Sequence, residues 1–200
     1  MLSVDSRDGN RYLKIDLAYP TVVGASALLR PHIKLEFTVA DLLLPSLLLP
    51  VSSFVNEMTR QPPEVVQIAC IDPVENAADK LSALTWRVPA RVRGAHDRQP
   101  DLVRHLHDLA KLSSRALSSP DFGRIAGLTL ERDVSRETGQ PGLTSADRLH
   151  RLLTVLETDA VYPTEYDTFV HGMSYAQDAL VPTYGEALCA VSLLVRQVSP

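Results

Sequence analysis

The 200-residue chain is 45% hydrophobic and 22% charged, the balance of one ordinary globular domain or a little more, and it is long enough to bury a sizeable core. Its formal net charge of −4 excludes a bulk polyanion binder, because sequence-independent nucleic-acid affinity is built from many Lys and Arg contacts to phosphates. Cys70 and Cys189 lie in apolar stretches without metal-ligand spacing and predict two buried structural thiols rather than a zinc centre. No basic region followed by an apolar core marks a signal peptide, and the longest apolar run, Leu42 to Pro50, is too short and too broken by Pro45 to span a membrane. A soluble cytoplasmic protein is the expectation.

Arg11 to Tyr19 alternates, with Leu13, Ile15 and Leu17 opposite Lys14 and Asp16, which predicts a half-buried strand. His32 to Val39 alternates again, and the loop Thr21 to Pro31 separates the two. Val65 to Ile71 is a third, β-branched run and a further strand. From Asp72 the period becomes helical. Asp72 suits a helix N-cap, Pro73 the first helical position and Glu75 a capping box. Val74, Ala77, Ala78, Leu81 and Leu84 form one stripe, which Pro89 should end. The linker Arg87 to Pro100 is polar and basic. A second helix, Asp101 to Leu117, carries Leu102, Leu106, Leu109 and Ala110 on one face. Asp121 to Gly127, Ser145 to Leu156, Thr164 to Asp178 and Thr183 to Val198 also read as helices, and Glu131 to Gly142 as a polar loop. Strands early and helices after them predict an α+β chain: a partial sheet in residues 1–71 and a helical region in 72–200.

At about 100° per residue, Lys80 falls about 40° past Leu84 and Asp108 about 40° past Leu112, so each apolar stripe has one charge on its border. A border Lys commonly snorkels along apolar surface, and a border Asp commonly pairs with Arg104 or Lys111 on its own helix. The sharper reading brings Lys80 and Asp108 together across one cleft. A compact ammonium there neutralises phosphate oxygens, and a carboxylate orients it or accepts a proton from an attacking hydroxyl. His105 lies inside the second stripe, as a core histidine or a base. Arg87, Arg91, Arg93, His96 and Arg98 make the linker either a solvated loop or a surface for triphosphate or RNA backbone.

Taken in order, these segments resemble the nucleotidyltransferase AbiEii/AbiGii toxins, the toxin half of type IV toxin–antitoxin and phage abortive-infection systems. Ile33-Lys34-Leu35-Glu36-Phe37 resembles the family's charged strand. Pro73 to Leu84 resembles its Glu-Lys-x-x-Ala-Leu helix, and Arg104-His105-Leu106-His107-Asp108-Leu109 its Arg-(Asp/His)-x-x-Asp-Leu helix. Glu165 to Phe169, Met173 to Tyr175 and Tyr184 to Leu188 resemble its closing helices. The resemblance implies a nucleotidyltransferase-like core and transfer of a nucleoside monophosphate from a nucleoside triphosphate with Mg²⁺. The acceptor is RNA, in some members the 3′ end of tRNA, and a cognate antitoxin is the partner. It implies Lys80 and Asp108 as catalytic residues, Lys80, Arg87 and Arg104 as nucleotide-binding residues, and Glu36 as a metal ligand.

The family also carries a Gly-Gly or Gly-Ser turn followed by an Asp-x-Asp pair that holds the metal. Neither occurs in this sequence; Asp5 and Asp8 are spaced wrongly, and Asp79 stands where the family has Glu. The expectation is therefore a toxin truncated at its start, with incomplete metal ligands and little catalysis. The alternatives are a non-catalytic module that binds a nucleotide or the antitoxin, and a degraded remnant.

Overall fold

The computed structural model describes residues 3–7, 9–20, 32–94, 102–136, 142–173 and 181–198. The predicted loop 21–31, His96 and Arg98 of the basic linker, Asp8 and residues 174–178 of the predicted sixth helical segment lie outside them. The fold is α+β, and the chain divides into two compact units, Met1–Leu42 and Leu43–Pro200.

In the first unit, β1 (Ser3–Arg7), β2 (Tyr12–Ala18) and β3 (His32–Thr38) form an antiparallel sheet in that order. Alternation puts Val4, Ile15 and Leu35 in one cross-strand row, and Asp5, Lys14 and Glu36 in the neighbouring row on the other face. The sequence pattern assigns Asp16 to the wet side of β2, yet it is the buried residue of that strand. Ser3 Oγ donates to its Oδ2 at 2.7 Å and Lys14 Nζ lies 2.9 Å away, and these two contacts hold its carboxyl below the usual range. β1 was invisible in the sequence because its residues do not alternate; pairing with β2 makes it a strand.

The second unit opens with β4 (Leu47–Val51), the short helix α1 (Phe54–Thr59) and β5 (Val65–Cys70), an antiparallel two-stranded ribbon. Among the described residues six helices follow: α2 (Pro73–Ala90), α3 (Arg104–Leu117), α4 (Phe122–Arg132), α5 (Ser145–Thr158), α6 (Val161–Met173) and α7 (Tyr184–Val198). A 3-10 turn, Asp133–Arg136, follows α4 within the stretch expected to be loop. No helix among the described residues is long and apolar enough to cross a membrane.

Caps explain several boundaries. The Asp72 side chain accepts the Val74 N–H at 2.8 Å, and Pro73 occupies the first turn, where its missing N–H costs nothing. Thr144 with Asp147, and Thr183 with Glu186, close reciprocal capping boxes. Pro89 does not stop α2 at once; the helix runs one residue further, because a proline near the C-terminus forfeits a single backbone bond. α6 begins at Val161, before Pro163, since Asp159 accepts the Val161 N–H and the first-turn proline has no helical acceptor to lose. α4 extends to Arg132, well past Gly127.

α2 is the centre of the helical assembly and packs on α3, α4 and α5, while α7 packs on α3 and α4. The predicted stripe Val74, Ala77, Ala78, Leu81 and Leu84 is buried and meets Leu106, Leu109, Phe122, Ile125, Leu149, Leu152 and Leu194 in one core. Within it Ser82 Oγ donates to Asp133 Oδ2 at 2.9 Å. The Tyr166 hydroxyl donates to the Pro182 carbonyl, and burial pushes that phenol up to about 12. The cysteines depart from expectation: Cys70 is half-buried at the end of an edge strand and Cys189 is exposed on α7.

Candidate functional site

α2 and α3 lie side by side because each turns its apolar stripe to the same core. Their stripe-border residues therefore face each other. Lys80 Nζ donates to Asp108 Oδ2 at 2.6 Å, with the two side chains 20% and 37% exposed. The pair is held by packing below and stays open to water above, a setting in which an ammonium can exchange a carboxylate contact for a phosphate oxygen.

His105, one turn before Asp108, is the point on which the other cations converge. Arg87 Nη1 lies 3.5 Å from His105 Nε2, and the Arg87 guanidinium stacks on the Trp86 ring at 4.8 Å. Burial pushes the His105 imidazole down to about 4, and Lys80, Arg104 and Arg87 push it the same way. The ring is therefore neutral at pH 7, which leaves the local positive charge to the Lys and the two Arg. The structure thus brings Lys80, Arg87, Arg104 and Asp108 into one electrostatic neighbourhood, although they span 28 residues of sequence from Lys80 to Asp108.

Among the described residues, the buried nitrogens Trp86 Nε1, His105 Nδ1 and His107 Nε2 have no hydrogen-bond partner. Unpaired buried polar atoms are uncommon and costly, so a cluster of them beside a charged pair points to groups held ready for something else. His107 also places its Nδ1 3.8 Å from Asp108 Oδ1 and its ring edge-on to Phe169 of α6, with centroids 6.3 Å apart. Trp86 escaped the sequence reading, and His107 and Phe169 entered it only as motif residues without a role at the site. The single tryptophan of the chain was the one available signal.

Two arginines of the basic linker, Arg91 and Arg93, are engaged by acidic residues. Arg91 forms a two-point fork with Glu165, Nη1–Oε2 2.8 Å and Nη2–Oε1 3.0 Å. Arg93 reaches Glu165 at 3.0 Å and Asp159 at 2.5 Å, and its guanidinium stacks on Tyr162 at 4.5 Å. Only 3% of the Arg91 side chain is exposed. These two arginines fasten the end of α2 to the start of α6 rather than forming a free phosphate surface. Asp79, on the far side of α2, takes Arg132 at 2.9 Å.

Glu36 sits on β3 in the first unit, where it accepts the Tyr12 hydroxyl at 2.6 Å and pairs with Lys34 at 2.8 Å. A magnesium site needs several oxygen ligands in one place, chiefly carboxylates. Among the described residues no three His, Cys, Asp or Glu side chains converge in that way. Glu36 and Asp108 are each engaged by a lysine. The described residues do not fit the ion.

The model of one family, the nucleotidyl transferase AbiEii toxin of type IV toxin–antitoxin systems, matches residues 2–189. No curated protein and no solved structure matches the chain. The match spans the strand of Glu36, both helices of the Lys80–Asp108 pair, α4, α5 and α6, and the first residues of α7. With that coverage, the chain belongs to the AbiEii nucleotidyl transferase toxins.

Proposed function

We propose that the α2–α3 neighbourhood binds a nucleoside triphosphate and that the chain passes the nucleoside monophosphate to an RNA acceptor, with tRNA the first to test. The observation that supports this best is the Lys80–Asp108 contact at 2.6 Å with Arg87 and Arg104 grouped about a neutral His105. In this reading Lys80 meets the phosphate chain, and Asp108 holds the ammonium in place when no nucleotide is bound. Arg87 and Arg104 add charge at the flank. Phosphoryl and nucleotidyl transfer depend mainly on such positioning and charge neutralisation. The setting is the cytoplasm, where triphosphates and RNA meet, and the product is opposed by a cognate antitoxin.

The missing carboxylate cluster among the described residues supports a second reading, a module that binds the triphosphate without transferring it. One pair of experiments separates the two. Calorimetric titration with each triphosphate, with and without Mg²⁺, measures binding. Incubation with α-labelled triphosphate and total tRNA measures transfer. Heat with label in RNA supports transfer, and heat without label supports the binding module. No heat from a folded sample removes both readings.

A further inference from the structure

The two oxygens of the Asp108 carboxylate face different nitrogens. Oδ2 accepts from Lys80 Nζ at 2.6 Å, while Oδ1 lies 3.8 Å from His107 Nδ1. The first contact is a short charge-assisted hydrogen bond, and the second is too long to be a hydrogen bond at all. Hydrogen bonds in an empty site are often long and tighten only when substrate arrives. A carboxylate only accepts, so the imidazole nitrogen that faces it is the one that carries a proton. His107 therefore holds an N–H toward Asp108 that the resting site does not use.

The ring does more than fill space. Its other nitrogen, Nε2, is buried and has no hydrogen-bond partner among the described residues. Such an atom destabilises the fold, and an apolar ring of the same size would occupy the place without that penalty. Phe169 meets the imidazole edge-on, with centroids 6.3 Å apart. Phe169 lies one turn beyond Glu165 on α6, and Glu165 is gripped by Arg91 and Arg93. An anchored helix thus backs the imidazole on one side, and on the other its Nδ1 is aimed at Asp108.

The open distance matters once Lys80 leaves. Triphosphate binding as proposed above turns the Lys80 ammonium to a phosphate oxygen, and Asp108 then loses its charged partner. A half-buried carboxylate without a partner opposes that exchange. We infer that His107 is a positioning residue for Asp108: when a triphosphate draws Lys80 away, the His107 Nδ1–H closes on Asp108 Oδ1, holds the carboxylate and lowers the cost of the exchange. The inference rests on the reading of Lys80 as the phosphate-contacting residue. Arg104 and Lys111, one turn to either side of Asp108 on α3, are the competing partners.

A double-mutant cycle tests this, read by calorimetric titration of the full chain with ATP, GTP, CTP and UTP in Mg²⁺. His107→Phe keeps the ring contact and lacks the N–H. It should weaken binding about fivefold while melting no lower than the unaltered chain. In an Asp108→Ala background there is no carboxylate to hold, and His107→Phe should change the affinity less than about twofold. A purely structural role for His107 would give the same loss in both backgrounds. Should His107→Phe fail to fold, imidazole ¹⁵N spectra of the unaltered chain give the same test. The His107 Nδ1 signal should move into the hydrogen-bonded range on adding triphosphate, and should not do so in Asp108→Ala. Unchanged affinity in folded His107→Phe, a loss that persists in Asp108→Ala, or an Nδ1 signal that bound triphosphate does not move would each overturn the inference and leave the triphosphate site standing. No heat from the unaltered, folded chain would overturn the site itself, and the inference with it.

Discussion

The Glu75 carboxylate accepts the Leu43 backbone N–H at 2.9 Å with one oxygen and that of Leu44 at 2.9 Å with the other. The sequence places Glu75 in a capping box with its own helix; instead it captures a chain segment 31 and 32 residues upstream, and its side chain is buried in doing so. Charge-assisted bonds to two partly buried N–H groups are strong, and losing them leaves both donors unpaired. Glu75→Ala should lower unfolding free energy by about 2–4 kcal/mol in a denaturant titration. A change under about 0.5 kcal/mol would show that the segment finds other partners.

Lys80→Ala and Asp108→Ala should leave the fold nearly untouched, because a half-open ion pair contributes about 1 kcal/mol or less. Each should nevertheless abolish growth inhibition by the expressed chain, and Lys80→Ala should weaken triphosphate binding at least tenfold in calorimetry, equivalent to about 1.4 kcal/mol. Toxicity that survives both substitutions removes these residues from the mechanism.

His105 sets an acid limit on stability. Its imidazole is held at about 4 in the fold against an ordinary value of 6.5. Between those values the unfolded chain binds the proton and the folded chain does not, so stability falls as pH drops through that window. The full effect is about 3 kcal/mol. His105→Asn should flatten the slope between pH 6.5 and 4 in thermal melts. An unchanged slope would assign the acid sensitivity elsewhere.

Two glycines of α4 should respond oppositely to the same substitution. A Cβ on Gly123 would sit 2.6 Å from the backbone oxygen of Gln197 in α7, whereas one on Gly127 meets nothing within 4 Å. Gly127→Ala should stabilise by up to about 1 kcal/mol through helix propensity. Gly123→Ala should destabilise by about 1–3 kcal/mol, because backbone cannot move aside cheaply. Melting temperatures of the two variants that shift in the same direction would contradict the α4–α7 approach.

The helical half was the more legible part. Stripes at a 3.6-residue period fix which faces of α2 and α3 are buried, and Asp72, Thr144 and Thr183 mark their helix starts by side-chain chemistry alone. Lys80 and Asp108 could be placed on stripe borders from periodicity; their contact depends on how two helices pack, which no local pattern encodes. β4 was missed because Pro45 and Pro50 read as breakers, although an edge strand tolerates a proline. The linker arginines read as a solvated loop or a phosphate surface because Asp159 and Glu165, the acids that engage Arg91 and Arg93, lie more than 60 residues away. Asp16 shows the same limit in a strand, where a charge that finds Ser3 and Lys14 is buried despite its place in the alternation.

The Arg91–Glu165–Arg93 cluster also governs how this acidic protein would respond to ionic strength. RNA binding loses about 0.7 in the slope of log affinity against log salt for every phosphate contact a protein does not make. With Arg91 and Arg93 engaged by acids, those two residues release no counterions, and attraction of RNA from a distance is correspondingly weak. Under the proposed transfer to RNA, an acceptor would then be caught by short-range fit near α3 rather than drawn in by the field. Glu165→Gln would loosen both guanidinium groups and make whatever RNA affinity the chain has steeper in salt.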